Sequence, residues 1–512
     1  MLAIKSRDED SRDLTRRRDL WVVCHGQKLI MRMLNPEFER AAEAAVPLSQ
    51  SGYAKGRGTT EQVLVARLAL EQQRMEQKML CLGFMDCGTF FMSCVKTVQV
   101  ECEAWMGVDP GVTRVVQALH TGVTAQYKTA QGLTETFDMD TGNGQGCVNG
   151  AVRSKLQLAV VQRAIEQICD GYNFTGYGEV KQLIYADDAL YMAESIADLQ
   201  LMFDTCWIMM TMMGLQVMIK GKKKTAFMAT YWKDGKQIDV DMGALEMRLP
   251  DGRVVPQIHM GADATRDTQP VQRRQAHGKH GQRAPMRGRQ GTADAVVSGG
   301  AGGETRTYRY LGCEISPSPD TGYERTRAEV VRQTAQILQI IGRLPGLDNA
   351  RMCEVMGVAV QGILGFYGRT TPMTWADCEA IEAARAGALR ARGFSPGNPR
   401  VQIYAATEQG GLGHPHAYRV AAGALIAQID RALSGADGEP QREAARSAVT
   451  EKCKQLGCRG ESPLTWDPRH VRDLNGESDL IEAWLLAKRR TRVQAVATSS
   501  TENEQMLCSE CL

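Results

Sequence analysis

Residues 183–195 read LIYADDALYMAES, with two adjacent aspartates, Asp187 and Asp188, between two apolar runs. Neighbouring carboxylates repel, so each must stay solvated or meet a cation. A strand–turn–strand with the pair at its tip presents at least one carboxylate on an exposed edge. A second apolar run, LCLGFMD at 80–86, ends in Asp86 and reads as a strand, although its pattern also suits a helix. Were the two strands to pair, the facing carboxylates would suit a hard cation such as Mg2+. Two such ions about 3.5–4 Å apart activate an attacking oxygen and stabilise a leaving one in phosphoryl transfer. Taken alone, the Asp pair is better explained as an Asx turn in an ordinary hairpin.

Three further stretches carry groups suited to phosphate. TGNGQGCVNGA (141–151) is a glycine-rich loop opening a long helix, where backbone N–H groups and a helix N-terminus suit an anion. Within it Gln145, followed by Gly146, could reach a base or sugar. SGYAKGRGTTEQ (51–62) sets Lys55 and Arg57 on a loop before a helix, and KGKKKT (220–225) clusters ammonium groups in a turn that includes Lys224. Each of these also reads as a solvated loop. The terminal CSEC, Cys508 to Cys511, is a lone CxxC without a second ligand pair, which favours a loose tail over a zinc site.

The elements that must position these groups follow from periodicity. Residues 59–80 form a helix with Thr59 or Thr60 as its cap, and 146–171 form a long helix stopped by Gly171. LIYA and ALYMA flank the Asp pair as strands. Ser195 caps a Met-rich helix that Gly214 ends, its methionines filling core. LQVMI and TAFMATYW read as strands around the basic turn, TYRYLGCEI (307–315) as another, and 322–434 carries helical patterns. Residues 262–304 have almost no large apolar side chains and read as a disordered basic insert able to touch nucleic acid. Residues 435–512 read as a polar tail with one amphipathic piece, SDLIEAWLLAKRRTRVQAV.

Composition sets the outer bounds. The 512 residues are 43% hydrophobic and 23% charged, as in globular chains, and the formal net charge of +2 gives no global field for nucleic acid. Fifteen cysteines without even spacing, and an N-terminus charged from the start (MLAIKSRDED), point to free thiols and to the nucleus or cytoplasm rather than secretion. The run KRRTR (488–492) hints at nuclear entry. No run is long and apolar enough to span a bilayer.

Taken in order, these motifs resemble those of reverse transcriptases, most closely the non-LTR retrotransposon type, from about Arg17 to about Leu433. QSGYAKGRGTTEQ is similar to the family's fingers motif, LGFMDCGTFFMSC to its first catalytic motif, GNGQGC to its G-x-x-Q-G block and YADD to its Y/F-x-D-D box. GLQVMIKGKKKTAFM resembles the following lysine motif, YRYLGCEI the primer-grip hairpin, and GGLGHPHA (410–417) a block found late in many such elements. The resemblance implies an α+β right-hand polymerase with fingers, an antiparallel-sheet palm and a helical thumb-like region. Its parts would be the N-terminal and fingers region at 1–79, the palm at 80–261 with fingers interleaved between 95 and 140, the insert at 262–304, the primer grip and thumb-like helices at 305–434, and the tail at 435–512.

It also implies roles. Asp86 and Asp187 would hold two Mg2+ ions, with Mn2+ as an alternative, and Asp188 would support them. Phe91 would lie under the incoming sugar and select deoxynucleotides; Gln145 and Gly146 would contact the nucleotide; Lys55, Arg57 and Lys224 would meet phosphates. Tyr310, Leu311 and Gly312 would form the primer grip. The partners would be an RNA template, a DNA primer and dNTPs. The chain departs from the family at Met92, where a second Asp is usual, at Gly150-Ala151, where Ser-Pro is usual, and in lacking the Asn before the motif's lysine. No endonuclease domain is evident. These departures suggest a divergent copy or a fragment, and they keep open a catalytically degenerate protein of the same fold that only binds RNA.

Overall fold

The computed structural model describes residues 2–5, 17–20, 22–129, 132–139, 141–143, 146–219, 225–242, 246–260, 307–394, 403–405, 412–434, 440–458 and 479–499, with positions 464, 471, 474 and 476. Gln145, Lys224, the basic turn at 220–224, the insert at 262–304 and the terminal CxxC lie outside the described residues.

The N-terminal part pairs β1 (Leu2–Lys5) with β2 (Arg17–Leu20) and continues into helices α1 (His25–Ala45) and α2 (Thr59–Glu76). Then come β3 (Leu80–Met85), α3 (Phe90–Ser93), α4 (Lys96–Trp105) and α5 (Pro110–His120). Two short hairpins follow, β4 (Thr124–Ala125) with β7 (Phe137–Asp138) around β5 (Lys128–Thr129) and β6 (Gly132–Leu133). The middle contains α6 (Gly150–Ile168), the hairpin β8 (Tyr172–Phe174)/β9 (Gly178–Val180), β10 (Gln182–Tyr185), β11 (Asp188–Ala193), α7 (Ile196–Met212), β12 (Ala226–Lys233) and β13 (Lys236–Asp239). A hairpin, β14 (Tyr308–Tyr310) and β15 (Cys313–Ile315), leads into α8 (Pro319–Arg343), α9 (Asn349–Tyr367), α10 (Trp375–Arg390) and α11 (Ala417–Ser434). Helices α12 (Pro440–Gln455) and α13 (Leu480–Ser499) complete it. No described helix is long and apolar enough to cross a membrane.

The centre is an antiparallel sheet in the order β10-β11-β3-β12-β13. β3 is buried along its whole length, because both sheet faces are covered. On one face Cys81, Met85, Tyr191 and Phe227 meet α6 and α7. On the other Leu82, Phe84, Leu190 and Met228 share a core with α2, the β14–β15 hairpin, α12 and α13. That two-sided burial explains why LCLGFM is a continuous apolar run rather than an alternating one.

α2 lies between the sheet and the later helices, and Arg67, Glu71, Gln62, Gln72 and Gln73 are buried with its apolar residues. Arg67 shows how such a polar helix is tolerated. Its guanidinium donates to the Thr371 hydroxyl at 3.0 Å, the Thr326 hydroxyl at 3.2 Å and the Thr370 carbonyl, and sits 4.4 Å from the centroid of the Tyr323 ring. A buried charge satisfied this fully costs little beyond its desolvation.

Several expectations shift. The cap of α2 is Gly58, not Thr59 or Thr60: its N–H donates to the Glu61 carboxylate at 2.7 Å. α6 begins at Gly150, four residues later than read, and Cys169 caps it. Ser195 caps α7 as expected, accepting from the Asp198 N–H at 3.1 Å. LQVMI forms no strand of the sheet. It bridges the chain just past β3, through Cys87–Val217, because β12 already occupies that edge of β3 up to Phe84.

The largest correction concerns 435–512, read as a polar tail. Residues 440–455 and 480–490 pack into the core, with Trp484, Leu480, Ile481, Ala444 and Val449 buried. α12 hides its role because its buried stripe, Ala444, Ala445, Ala448 and Val449, is mostly alanine, which carries little hydropathy but permits close approach to α2.

Candidate nucleotidyl-transfer site

Asp86 is the first residue past β3, and its backbone is held from two sides. The Thr225 hydroxyl accepts its N–H at 3.1 Å, and its carbonyl accepts from the Met218 N–H at 2.9 Å. Gly88 N–H donates to the Gln216 carbonyl at 2.9 Å. The stretch expected as a strand therefore braces the chain that carries Asp86.

The β10–β11 hairpin carries the other two carboxylates. Its register pairs Tyr185 with Asp188, leaving Ala186 and Asp187 as a two-residue turn. Ala186 has φ +58°, while Asp187 is not in the positive region, the pattern of a II′ turn, which usually has Gly at the first position. A non-glycine residue there is strained by roughly 1–2 kcal/mol. β11 and β3 pair Ala189 with Met85, so one further step in the same register faces Asp188 to Asp86. Asp86 and Asp187 are half-buried and Asp188 is exposed.

Two neighbours lie within electrostatic reach of these carboxylates. The Cys87 thiol is pushed up by burial first, then by Asp187, with Asp86 adding a smaller push. On the opposite face the Tyr308 hydroxyl is pushed up by burial and then by Asp86 and Asp188. Asp86 thus acts on both sides, with Asp187 towards the cysteine side and Asp188 towards the β14–β15 hairpin.

Phe91 lies in α3, half-buried, against Phe90 at 5.5 Å and edge-on to Tyr53 at 6.5 Å between ring centroids. Its carbonyl accepts the Asn143 N–H at 2.6 Å, and the Cys94 carbonyl accepts the Gly142 N–H at 2.8 Å, so the glycine-rich block is stitched to the chain beyond β3. Asn143 is itself anchored from within. Its side chain donates to Ser154 at 3.2 Å and accepts from Arg153 at 3.5 Å, and Arg153 pairs with Glu103 at 2.5 Å, both fully buried. His120 completes this network; burial first, then Arg153 and Lys96, holds its pKa down to about 3, so it is neutral at pH 7. Gly146 is exposed at φ +109°.

The basic candidates separate. Lys55 is exposed. Arg57, expected to meet phosphates, instead spends its Nη1 on the carbonyls of Leu48 and Gln50 at 3.1 and 3.3 Å, bracing its own loop. A residue not singled out, Lys155 of α6, donates to the Tyr53 carbonyl at 3.3 Å. In the β14–β15 hairpin Tyr310 is buried, and its hydroxyl donates to the Leu183 carbonyl at 3.0 Å. The Tyr310 side chain therefore anchors the hairpin rather than facing a primer. Tyr308 stacks on Phe84 at 3.9 Å, and Leu311 and Gly312, at φ +47° and +92°, form the half-buried tip.

Gln50, Thr225, Asn143, Arg153 and Glu103 were missed as site residues. Gln50, Asn143 and Thr225 lie within the fingers-like motif, the glycine-rich block and the lysine motif, and the offset of Thr225 from the lysine turn is a usable signal. Nothing local marked Glu103 as the partner of Arg153.

Among the described residues no group of three or more His, Cys, Asp or Glu could hold a metal ion. Mg2+ does not need one: it keeps several waters and binds through one or two carboxylates plus substrate phosphates. A pair of hard oxygen donors, Asp86 and Asp187, both bearing on Cys87, fits that chemistry.

The chain matches no protein-family model and no curated protein. Among solved structures it is similar to apo telomerase from Candida tropicalis, at 10% identity and TM-score 0.35, over 82% of this chain and 60% of that one. Telomerase from Candida albicans in complex with a TWJ fragment of telomeric RNA aligns at 10% identity and TM-score 0.31, over 80% and 57%. A C-terminally truncated apo form from Candida tropicalis aligns at 11% and 0.29, over 41% and 43%. The chain thus spans about half the length of these proteins.

Proposed function

We propose that the chain is an RNA-directed DNA polymerase of the non-LTR retrotransposon type, adding deoxynucleotides to a DNA primer along an RNA template inside the cell. One observation carries the reading: Asp86, just past β3, and the Asp187–Asp188 turn lie at the same end of the paired strands β3 and β11, with the Tyr308–Ile315 hairpin beside them. The five-stranded sheet would be the palm, the region around α2 and α4–α5 the fingers, and α8–α11 the thumb-like part.

Asp86 and Asp187 would hold Mg2+, or Mn2+ in its place, with Asp188 in support. Bound there, two ions supply acidification of the primer hydroxyl and charge neutralisation at the leaving pyrophosphate. The chain's own residues position the reactants. The Phe91 ring lies under the sugar and disfavours a 2′-hydroxyl. Gln145 and Gly146 meet the nucleotide, Lys55 and Lys224 its phosphates, and Arg57 acts chiefly through the loop it braces. Leu311 and Gly312 set the primer end, on a hairpin that Tyr310 anchors.

The test is primer extension by the purified chain with Mg2+, an RNA template and a DNA primer. Extension is expected, and Asp187→Ala abolishes it; extension that survives this substitution unchanged sinks the assignment. A second reading, an RNA-binding protein without catalysis, is favoured by Met92, which stands where the family has a second carboxylate. It requires template binding that weakens steeply with salt and no incorporation, so Mg2+-dependent incorporation rules it out.

A further inference from the structure

The segment before α2 does more than hold basic side chains. Residues 49–51 run beside β10: Ser51 N–H donates to the Ile184 carbonyl at 2.8 Å, Ile184 N–H to the Ser49 carbonyl at 3.0 Å, and Gln50 forms a parallel bridge with Ile184. This brings the Gln50 side chain, 1% exposed, onto the turn that carries Asp187. Its Oε1 accepts the Ala186 N–H at 2.9 Å and the Gly52 N–H at 2.8 Å, while its Nε2 donates to the Ala186 carbonyl at 3.1 Å. One amide thus satisfies both backbone groups of the strained residue next to Asp187.

The surroundings are built for that contact. A Cβ on Gly52 would lie 2.2 Å from the Ala186 nitrogen, so only glycine lets the loop approach this closely. Arg57 holds the Gln50 carbonyl from behind, and Gln62 donates to the carbonyls of Ser49 and Ile184, both at 3.1 Å. An ordinary two-residue hairpin turn needs no such brace, since Gly in the first position relieves it. Here the turn keeps Ala186 at φ +58° and is held from outside.

We infer that Gln50 is a positioning residue of the Asp187 turn, fixing through the Ala186 peptide where that carboxylate sits; its catalytic consequence rests on the polymerase reading above. Because a misplacement of about 1 Å at a reacting centre costs about a hundredfold in rate, release of the turn should appear in turnover rather than in template binding. It should also raise the metal concentration needed, since the ligand is no longer preorganised.

The test uses the full chain with Gln50→Met, which keeps size but loses the amide, and Gln50→Glu, which keeps the acceptor but loses the donor to Ala186. Hydrogen exchange over the peptide 183–190 is measured without substrate, and Mn2+ titration alone follows the metal. Gln50→Met is expected to speed exchange in this peptide at least about tenfold, leave other regions unchanged, and weaken Mn2+ binding several-fold, with Gln50→Glu intermediate in exchange. In primer extension, kcat falls about ten- to a hundredfold while template–primer Kd stays within about twofold. Ala186→Gly, which removes the strain, partly restores the Gln50→Met rate. Unchanged exchange at 183–190 overturns the inference whatever the activity. So does a Gln50→Met chain with wild-type kcat and metal requirement, or one that loses exchange protection everywhere. Faster exchange confined to the turn and weaker Mn2+ binding, in a wild-type chain that incorporates nothing, sustains the positioning role and overturns the polymerase reading alone.

Discussion

The Thr225 hydroxyl accepts the backbone N–H of Asp86 at 3.1 Å, and Thr225 is fully buried. Asp86 is the first residue past β3, and a side chain arriving from the far end of the lysine motif takes its N–H. The same hydroxyl reaches the Met85 sulfur at 3.7 Å. The position of one candidate ligand is therefore set by a residue 139 positions away in the chain.

Thr225→Val keeps the shape and removes the acceptor. An orphaned N–H costs about 1–3 kcal/mol, so the urea midpoint falls with an unchanged slope, and extension falls further than stability alone explains. Thr225→Ser, which retains the hydroxyl, recovers most of the rate. A Thr225→Val chain with wild-type midpoint and rate would show that the bond is idle.

Phe91 is half-buried and touches Phe90 and Tyr53 only through ring edges, so its loss leaves the core standing. Phe91→Ala is expected to lower the preference for deoxynucleotides over ribonucleotides by at least about tenfold, in line with what steric selection in a pocket achieves. The check is kcat/KM for a dNTP and its matching rNTP. An unchanged ratio would remove Phe91 from the sugar site.

Glu71 supplies a pH dependence. Its Oε1 accepts from the Tyr323 hydroxyl at 2.6 Å and the Leu480 N–H at 2.7 Å, while Oε2 is buried with no hydrogen-bond partner among the described residues. Burial first and then Asp479 raise its pKa from 4.5 to about 8, against the Tyr323, Leu480 and Lys452 contributions. The folded state therefore keeps a proton that the unfolded chain releases. That stability is fully present below about pH 4.5 and is lost as pH rises through about 8, at up to roughly 1.4 kcal/mol per unit. Glu71→Gln, which can still accept both bonds, should flatten the slope in denaturant titrations between pH 5 and 9. Parallel profiles for the two proteins would refute the assignment.

Trp484 tests the corrected C-terminal region. Its ring is fully buried, its Nε1 donates to Asp430 at 3.0 Å, and Lys488 lies 4.7 Å from the ring centroid. Trp484→Ala is expected to cost about 3–5 kcal/mol, read as a lowered denaturant midpoint. A loose tail would register almost nothing.

Much of the site was legible because its signals are local. The apolar runs on either side of Asp187–Asp188 and the Ser195 cap are written in a few neighbouring residues, whereas 307–315, read as one strand, is broken into a hairpin by the positive-φ tip at Leu311-Gly312. Arg57 and Tyr310 were legible as residues but not as roles, since their partners, the carbonyls of Leu48, Gln50 and Leu183, are backbone atoms that carry no sequence signature.

By itself, then, the sequence determined the strands and helices around the carboxylates and the order in which the carboxylates, the glycine-rich block and the hairpin follow one another, because periodicity and turn chemistry act over a few residues. Only the tertiary structure decided that Gln50 meets Ala186 across 136 positions, that Arg153 finds Glu103, and that α12 and α13 close over α2. Those choices rest on satisfying buried polar groups and on close packing of small side chains. Both depend on which surfaces the folded chain brings together.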